Sequence, residues 1–186
     1  MRISAENLRV YLSTPTFDDA QAISENLNNP EIALNSPGVA SPYGIENARM
    51  FIELSRQEHI MGIGFHNCIR LLDGKIIGLC ALANIDVAHR SAEIGYILGR
   101  GHWGNGYAKE AISLALGFGF EKLGLDSIYA KVPTYNERSI KLLGSIGFSN
   151  AGSLKEDIVQ KRIEEFLFKM QRINYSSGID VVIEGY

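Results

Sequence analysis

The sequence predicts an α/β domain built on one mixed, mostly antiparallel sheet of about seven strands with helices on both faces. Three observations predict it. Three strand-like segments follow one another with short turns between them, the layout of an antiparallel meander. Near residue 106 the apolar spacing then changes from strand-like to i, i+3, i+4, and helices and strands alternate to the end. The chain has 186 residues, 46% hydrophobic and 21% charged, which suits one soluble domain at ~100–200 residues per domain. Residues 1–186 are therefore taken as a single domain, with 171–186 as a C-terminal extension.

Residues 7–13 read as the first strand. A helix over 17–29 follows, opened by Thr16 as cap and by Asp18 and Asp19 as first-turn acids. Asn35–Gly44, NSPGVASPYG, is a loop by composition. Ile45 to His59 is a helix with Ala48, Phe51, Ile52 and Ser55 on one face. Residues 65–72 and 75–86 are strands. Asp73-Gly74 between them is a two-residue hairpin signal that expects positive φ at both positions. A third strand, Ser91 to Leu98, follows a polar turn at His89-Arg90.

The segment Gly106 to Leu123 is helical, with Ala108, Ala111, Ile112, Ala115 and Phe118 on its apolar stripe and Gly124 as its stop. Gly117 and Gly119 each weaken it by roughly 1 kcal/mol relative to Ala, so they predict close packing against the sheet. Ser127 to Val132 is a strand and Asn136 to Ile146 a helix ending at Gly147. Residues 148–158 and 162–170 form a closing strand pair, and Ile179–Ile183 is a candidate edge strand.

Several functions are disfavoured. The net charge of −3 and the lack of a Lys/Arg run speak against a nucleic-acid partner. No stretch reaches ~18 apolar residues, and the N-terminus has no apolar leader, so a cytoplasmic protein without a membrane partner is expected. Cys68 and Cys80 lie in strand segments without C-x-x-C spacing and read as core residues. His59, His66, His89 and His102 show no metal spacing, so no metal site is expected.

The chemical signal is Trp103-Gly104-Asn105-Gly106-Tyr107-Ala108, between a strand and a long helix. Helix N-termini present unpaired N–H groups and favour negative charge. The two glycines let main chain approach a ligand, so the segment reads as a phosphate cradle or, with equal weight, as a turn that only starts a helix. A Walker loop, G-x-x-x-x-G-K-S/T, is absent. A dinucleotide fingerprint would need glycine where Lys109 stands, and Asp126 precedes the next strand instead of ending it.

AEIGYILGRGHWGNGYAKEA resembles the acetyl-coenzyme A motif of the GNAT acetyltransferases, Q/R-x-x-G-x-G/A, with Trp103 at the Gln/Arg position. NERSIKLLGSIGF resembles the second motif of the ribosomal-protein N-terminal acetyltransferase branch, the RimJ/RimL type. LRVYLSTPTFDDA and LLDGKIIGLCAL match its layout, so the resemblance covers about residues 7–170. It implies a GNAT fold and transfer of acetyl from acetyl-CoA to an amine.

It also implies roles. Main chain near Ile97 and Leu98 would lie along the pantetheine. Gly104, Asn105, Gly106, Tyr107 and Ala108 would hold the pyrophosphate, and Trp103 would belong to the same cofactor-binding segment. Asn136 would contact the pantetheine, and it is equally suited to N-cap its helix. Ser139 would lie near the sulfur. Leu143 occupies the position where many GNAT members carry a Tyr general acid, which leaves Ser139 as the nearest substitute. Glu93 is the candidate base, acting through a water, with Glu156 and Asp157 as competitors. The acceptor is expected to be a protein N-terminus or a small primary amine, bound by the helices before residue 60 and the Asn35–Gly44 loop. A catalytically inactive acyl-CoA-binding sensor or subunit is the alternative, and a homodimer is left open.

Overall fold

The computed structural model describes all residues except 159, 160, 177 and 186, and the side chains of 156–162 also lie outside the described residues. The first half comprises β1 (Arg2–Ser4), β2 (Val10–Ser13), α1 (Ala20–Leu27), α2 (Pro30–Asn35), α3 (Ile45–Met61), β3 (Phe65–Leu71), β4 (Ile76–Asp86) and β5 (Ser91–Leu98). The second half comprises α4 (Tyr107–Gly117), β6 (Ser127–Pro133), α5 (Glu137–Ile146), β7 (Ser149–Ile158), β8 (Lys161–Gln171) and β9 (Val182–Glu184). The strands form one sheet in the order β7-β8-β6-β5-β4-β3-β2-β1-β9.

The described residues thus hold nine strands where about seven were expected. The additions are β1 and β9, three residues each, which pair with one another at the sheet edge. The C-terminal extension joins the sheet through β9, at Val182–Glu184 instead of 179–183. All neighbouring strands are antiparallel except β5 and β6. That parallel pair requires a crossover, which α4 supplies.

Local chemistry explains the boundaries. The first helical segment opens as a 3-10 turn, where the Asp19 carboxylate accepts the Thr16 N–H at 2.9 Å and pairs with Arg70 at 2.8 Å. It stops at Leu27 because Pro30 restricts the residue before it. Helix resumes as α2, with Pro30 in the first turn and Asn29 Oδ1 accepting the Glu31 N–H at 2.9 Å. At the β3–β4 turn only Gly74 has positive φ, +92°. Asp73 instead accepts the Lys75 N–H at 2.9 Å through its own carboxylate. This is a side-chain-closed turn and not the doubly left-handed one expected.

Helices α1 and α3 cover one face through Ala20, Ile23, Leu27, Ala48 and Ile52, packed on Cys68, Ile76 and Leu79. Helices α4 and α5 cover the other through Ala111, Ile112, Leu114 and Leu143, against Ile69, Ile94 and Ile128. Of the two glycines in α4 and the π-turn after it, Phe118–Lys122, Gly119 packs on the sheet as expected, whereas Gly117 packs on the C-terminal extension. A Cβ on Gly119 would lie 2.8 Å from Ile128 on the sheet, while one on Gly117 would overlap Val181 just before β9.

Candidate active site

The site begins at the parallel pair. β5 meets β6 only at Ser91↔Ser127, Ala92↔Ile128 and Glu93↔Tyr129. Past Glu93, β5 stays paired with β4 as far as Leu98, and β6 stays paired with β8 as far as Pro133. The two facing edges therefore part, and a slot opens between Ile94–Leu98 and Ala130–Pro133. Gly99 donates its N–H to Ile77 O on the β4 side at 2.9 Å. Alternation along the strand then turns main-chain groups of Leu98 and Tyr96 toward the slot. The Ile97 side chain packs toward α1 and α3.

The loop after β5 carries the predicted cradle. Gly104 has φ +79° and Gly106, the N-cap of α4, has φ +83°. A Cβ on Gly104 would meet nothing within 4 Å, and Gly104, Asn105 and Gly106 are exposed. The first backbone bond after them is Glu110 N–H to Gly106 O at 3.3 Å. Among the described residues, no bond outside α4 engages the N–H groups of 104–109 at this helix N-terminus, the arrangement that receives phosphate oxygens.

Trp103 holds this loop to the strand, its indole N–H donating to Leu98 O at 2.8 Å. Arg100 and Arg138 stack over the Trp103 ring, 4.7 and 4.5 Å from its centroid. Glu31 of α2 approaches both guanidinium groups, at 2.6 and 3.8 Å. A second brace comes from Arg9, just before β2. Arg9 donates to Asn105 O at 2.8 Å and pairs with Glu110, whose Oε2 also accepts the Arg9 N–H at 2.7 Å. Sequence reading missed Arg9, Glu31, Arg100 and Arg138. Their partners lie far along the chain, and no local pattern marks them.

Across the slot, Asn136 is the N-cap of α5, its Oδ1 accepting the Ser139 N–H at 3.1 Å. Its amide nitrogen donates to Asn35 O at the end of α2, 3.2 Å away. Tyr135 OH donates to Leu34 O at 2.9 Å, so α2 and the β6–α5 loop are tied together. Ser139 Oγ lies 2.5 Å from Tyr96 Oη, which joins α5 to β5. Burial pushes the Tyr96 phenol up to about 12, against the opposing pull of the Ser139 hydrogen bond. Sequence reading also missed Tyr96. Its one signal is a phenol on a strand face otherwise made of Ala92, Ile94 and Leu98. Leu143 is fully buried in the core.

Glu93 stands where β5 and β6 part, on the face it shares with Gly95 and Ile97. Its carboxylate accepts from Asn84 Nδ2 at 3.1 Å and lies 4.0 Å from Lys131 Nζ. Asn84 reaches it from a bulge in β4, where φ is +49°. A Cβ on Gly95 would meet nothing within 4 Å, so the strand surface beside Glu93 is open. Glu156 and Asp157 belong to β7, and their side chains lie outside the described residues. Among the described residues no His, Cys, Asp or Glu group is arranged to hold a metal, and no helix is long and apolar enough to cross a membrane. Both cysteines are buried, their thiols pushed up to about 12 by desolvation.

A splayed parallel pair leading to a glycine cradle is a fold feature with relatives. Residues 9–149 match the acetyltransferase (GNAT) domain family. The chain belongs to the GNAT acetyltransferases. It is 31% identical over 172 residues to an uncharacterized N-acetyltransferase, p20, of Bacillus licheniformis, covering 90% of this chain and 96% of that protein. It is 32% identical over 125 residues to the spermidine N(1)-acetyltransferase of Escherichia coli K12, covering 66% and 67%. RimJ of Mycobacterium smegmatis, solved with CoA-disulfide, has the same fold, with TM-score 0.82, 23% identity, and coverage of 92% of this chain and 87% of that one. This GNAT chain is an acetyl-CoA-dependent N-acetyltransferase. The open cradle and the parted slot edges fit that cosubstrate.

Proposed function

We propose that this acetyltransferase acts on a primary amine, a protein N-terminus or a small molecule, which approaches Glu93 over Gly95 from the side of α1 and α3. The observation that carries this reading is the position of Glu93. It is the carboxylate at the point where β5 and β6 separate, beside an exposed glycine that leaves room for an acceptor. The name of the Escherichia coli relative supports a polyamine among the small amines to test. β9 pairs within the same sheet as the catalytic strands, which supports reading the whole chain as one domain.

In this reading Gly104, Asn105, Gly106, Tyr107 and Ala108 hold the pyrophosphate with main-chain N–H groups, and Trp103 keeps the loop against β5. Main chain of Leu98 lies along the pantetheine with that of Tyr96, since the main-chain groups of Ile97 face β4. Asn136 frames the slot as helix cap and as tie to α2. Acetyl-CoA supplies the thioester. Glu93 takes the amine proton through a water, a step worth ~10²–10⁴-fold. Slot-facing N–H groups of β5 stabilise the oxyanion, worth ~10²–10³-fold. Ser139 hydrogen-bonds the departing sulfur. Holding amine and thioester together supplies ~7–11 kcal/mol of the barrier.

The test is coenzyme A release from acetyl-CoA with two pools, one of polyamines and other small amines, one of peptides with free N-termini. Turnover with a member of either pool, abolished when its primary amine is blocked, is expected. Acetyl-CoA binding without turnover in either pool would overturn the acceptor assignment.

A further inference from the structure

We propose that Tyr96 is a positioning residue for acetyl transfer: its phenol holds the Ser139 hydroxyl so that the Ser139 proton faces the sulfur of the leaving thiol. The proposal rests on the reading of Ser139 given above.

Tyr96 and Ser139 are 43 residues apart and come from opposite walls of the slot, β5 and the first turn of α5. Their oxygens lie 2.5 Å apart in a part-buried setting. Two hydroxyls at that distance share one hydrogen, and chemistry decides which gives it. A phenol, with a reference pKa of ~10, is a far stronger acid than an alkyl alcohol and so the better donor. No acceptor for the Tyr96 hydroxyl other than Ser139 Oγ is found among the described residues. Tyr96 therefore donates, and the Ser139 proton must point away from it.

The rest of Ser139 is fixed as well. Its backbone N–H is held by Asn136 Oδ1 at 3.1 Å, and Asn136 is anchored to α2. With N–H and Oγ both engaged, the remaining freedom of the side chain is the direction of its O–H. An oxygen that already accepts a hydrogen bond is also a better donor, by ~10–30% per bond.

The phenol does not supply the proton itself. It is pushed up to about 12, well above a thiol at ~8.5, so transfer from Tyr96 to the thiolate is uphill. In the step proposed, the amine nitrogen bonds to the carbonyl carbon and loses its proton through water to Glu93. The C–S bond then breaks with its electron pair going to sulfur. The Ser139 O–H hydrogen-bonds that thiolate, and sulfur later takes a proton from solvent.

Two readouts test this on the full chain. The first compares calorimetric affinity for coenzyme A and for acetyl-CoA between about pH 8 and 9.5. A hydrogen bond to thiolate makes coenzyme A, but not acetyl-CoA, bind more tightly as pH rises. Tyr96→Phe and Ser139→Ala should each reduce that strengthening, by about two- to tenfold for one hydrogen bond. The second is kcat and KM for Tyr96→Phe, Ser139→Ala and the double variant, using the amine or peptide from the pools with the fastest turnover. Tyr96→Phe should lower kcat by about two- to tenfold with little change in KM for acetyl-CoA, and should add nothing in the Ser139→Ala background. If the strengthening disappears in Ser139→Ala but survives in Tyr96→Phe, the Tyr96 proposal fails and the Ser139 reading stands. If wild type shows no difference between the two ligands, the Ser139 reading fails and takes the proposal with it. If Tyr96→Phe loses acetyl-CoA affinity at every pH, the pair is only a structural tie and the proposal is overturned.

Discussion

Replacing Gly106 with valine separates two effects that the structure superimposes at one position. Gly106 has φ +83° and ψ −6°, a left-handed conformation in which a β-branched residue is strained. That strain costs about 1–3 kcal/mol. For a domain of this size each kcal/mol lowers Tm by about 2–4 °C, so Gly106→Val should melt about 2–12 °C lower. The new Cβ would also stand 3.1 Å from the Arg9 guanidinium, beside the N–H groups of the cradle. If two N–H bonds to the pyrophosphate are lost at ~1.5–3 kcal/mol each, affinity falls by about 10²-fold or more. Gly62→Val is the matched control. Gly62 has φ +70° with nothing within 4 Å of an added Cβ, and it caps α3 at the opposite end of the sheet from the cradle. It should melt lower by a similar amount and leave affinity unchanged. Calorimetry well below both melting temperatures reads the difference. Equal acetyl-CoA affinity in Gly106→Val and wild type would refute the cradle.

Glu93→Gln should keep acetyl-CoA affinity and lower kcat near neutral pH. The loss should shrink as pH rises past ~8, where an α-amino acceptor is already neutral, and a pH–rate profile with chemistry rate-limiting checks this. Arg9→Ala should leave the Glu110 carboxylate uncompensated beside the cradle and weaken acetyl-CoA binding by about fivefold, for one charge at high effective dielectric. Adding Glu110→Gln should restore binding, and no recovery by calorimetry would show that Arg9 acts by bracing Asn105 alone. Cys68 and Cys80 are raised from 9.0 to about 12 in the folded chain. Above pH 9 the unfolded chain gives up protons that the folded chain keeps, so stability present at lower pH is lost as pH climbs toward 12. Melting curves from pH 8 to 11 should show this decline, less steep in Cys80→Ala than in wild type.

Elements with several periods of pattern were legible in the sequence. β5 falls at Ser91–Leu98 as its alternation predicts, and α5 ends at Gly147 as its glycine predicts. β1 and β9 were not readable in full, because three residues carry no period and their pairing joins the two ends of the sequence. α2 was readable in principle, since Asn29-Pro30-Glu31 is a cap, a first-turn proline and a first-turn acid. Its six residues were masked by the loop composition that follows. In the site, the cradle glycines were visible because their chemistry is local. The supports around them were not. Arg9–Glu110, Tyr135–Leu34 and Asn136–Asn35 each span 101 residues, and Tyr96–Ser139 spans 43. Asn136 shows how a local reading can be sound and incomplete: it caps its helix as expected and also ties that helix to α2.

The three residue pairs between β5 and β6 also bear on how the chain assembles. On one side, β3, β4 and β5 are sequential antiparallel neighbours, and on the other β7 and β8 form a hairpin beside β6. Loop closure costs little for such near neighbours. The seam instead brings Ser91 to Ser127 across the whole of α4, and its strand ladder of three residue pairs is supplemented by side-chain ties such as Tyr96–Ser139 and Asn136–Asn35. The domain is therefore expected to form as two locally zipped halves that dock late, with their last contact at the mouth of the slot. Destabilising substitutions at Ala92 or Ile128 should then speed unfolding more than they slow folding. The gap that receives the cosubstrate is the part of the sheet that docking leaves unclosed.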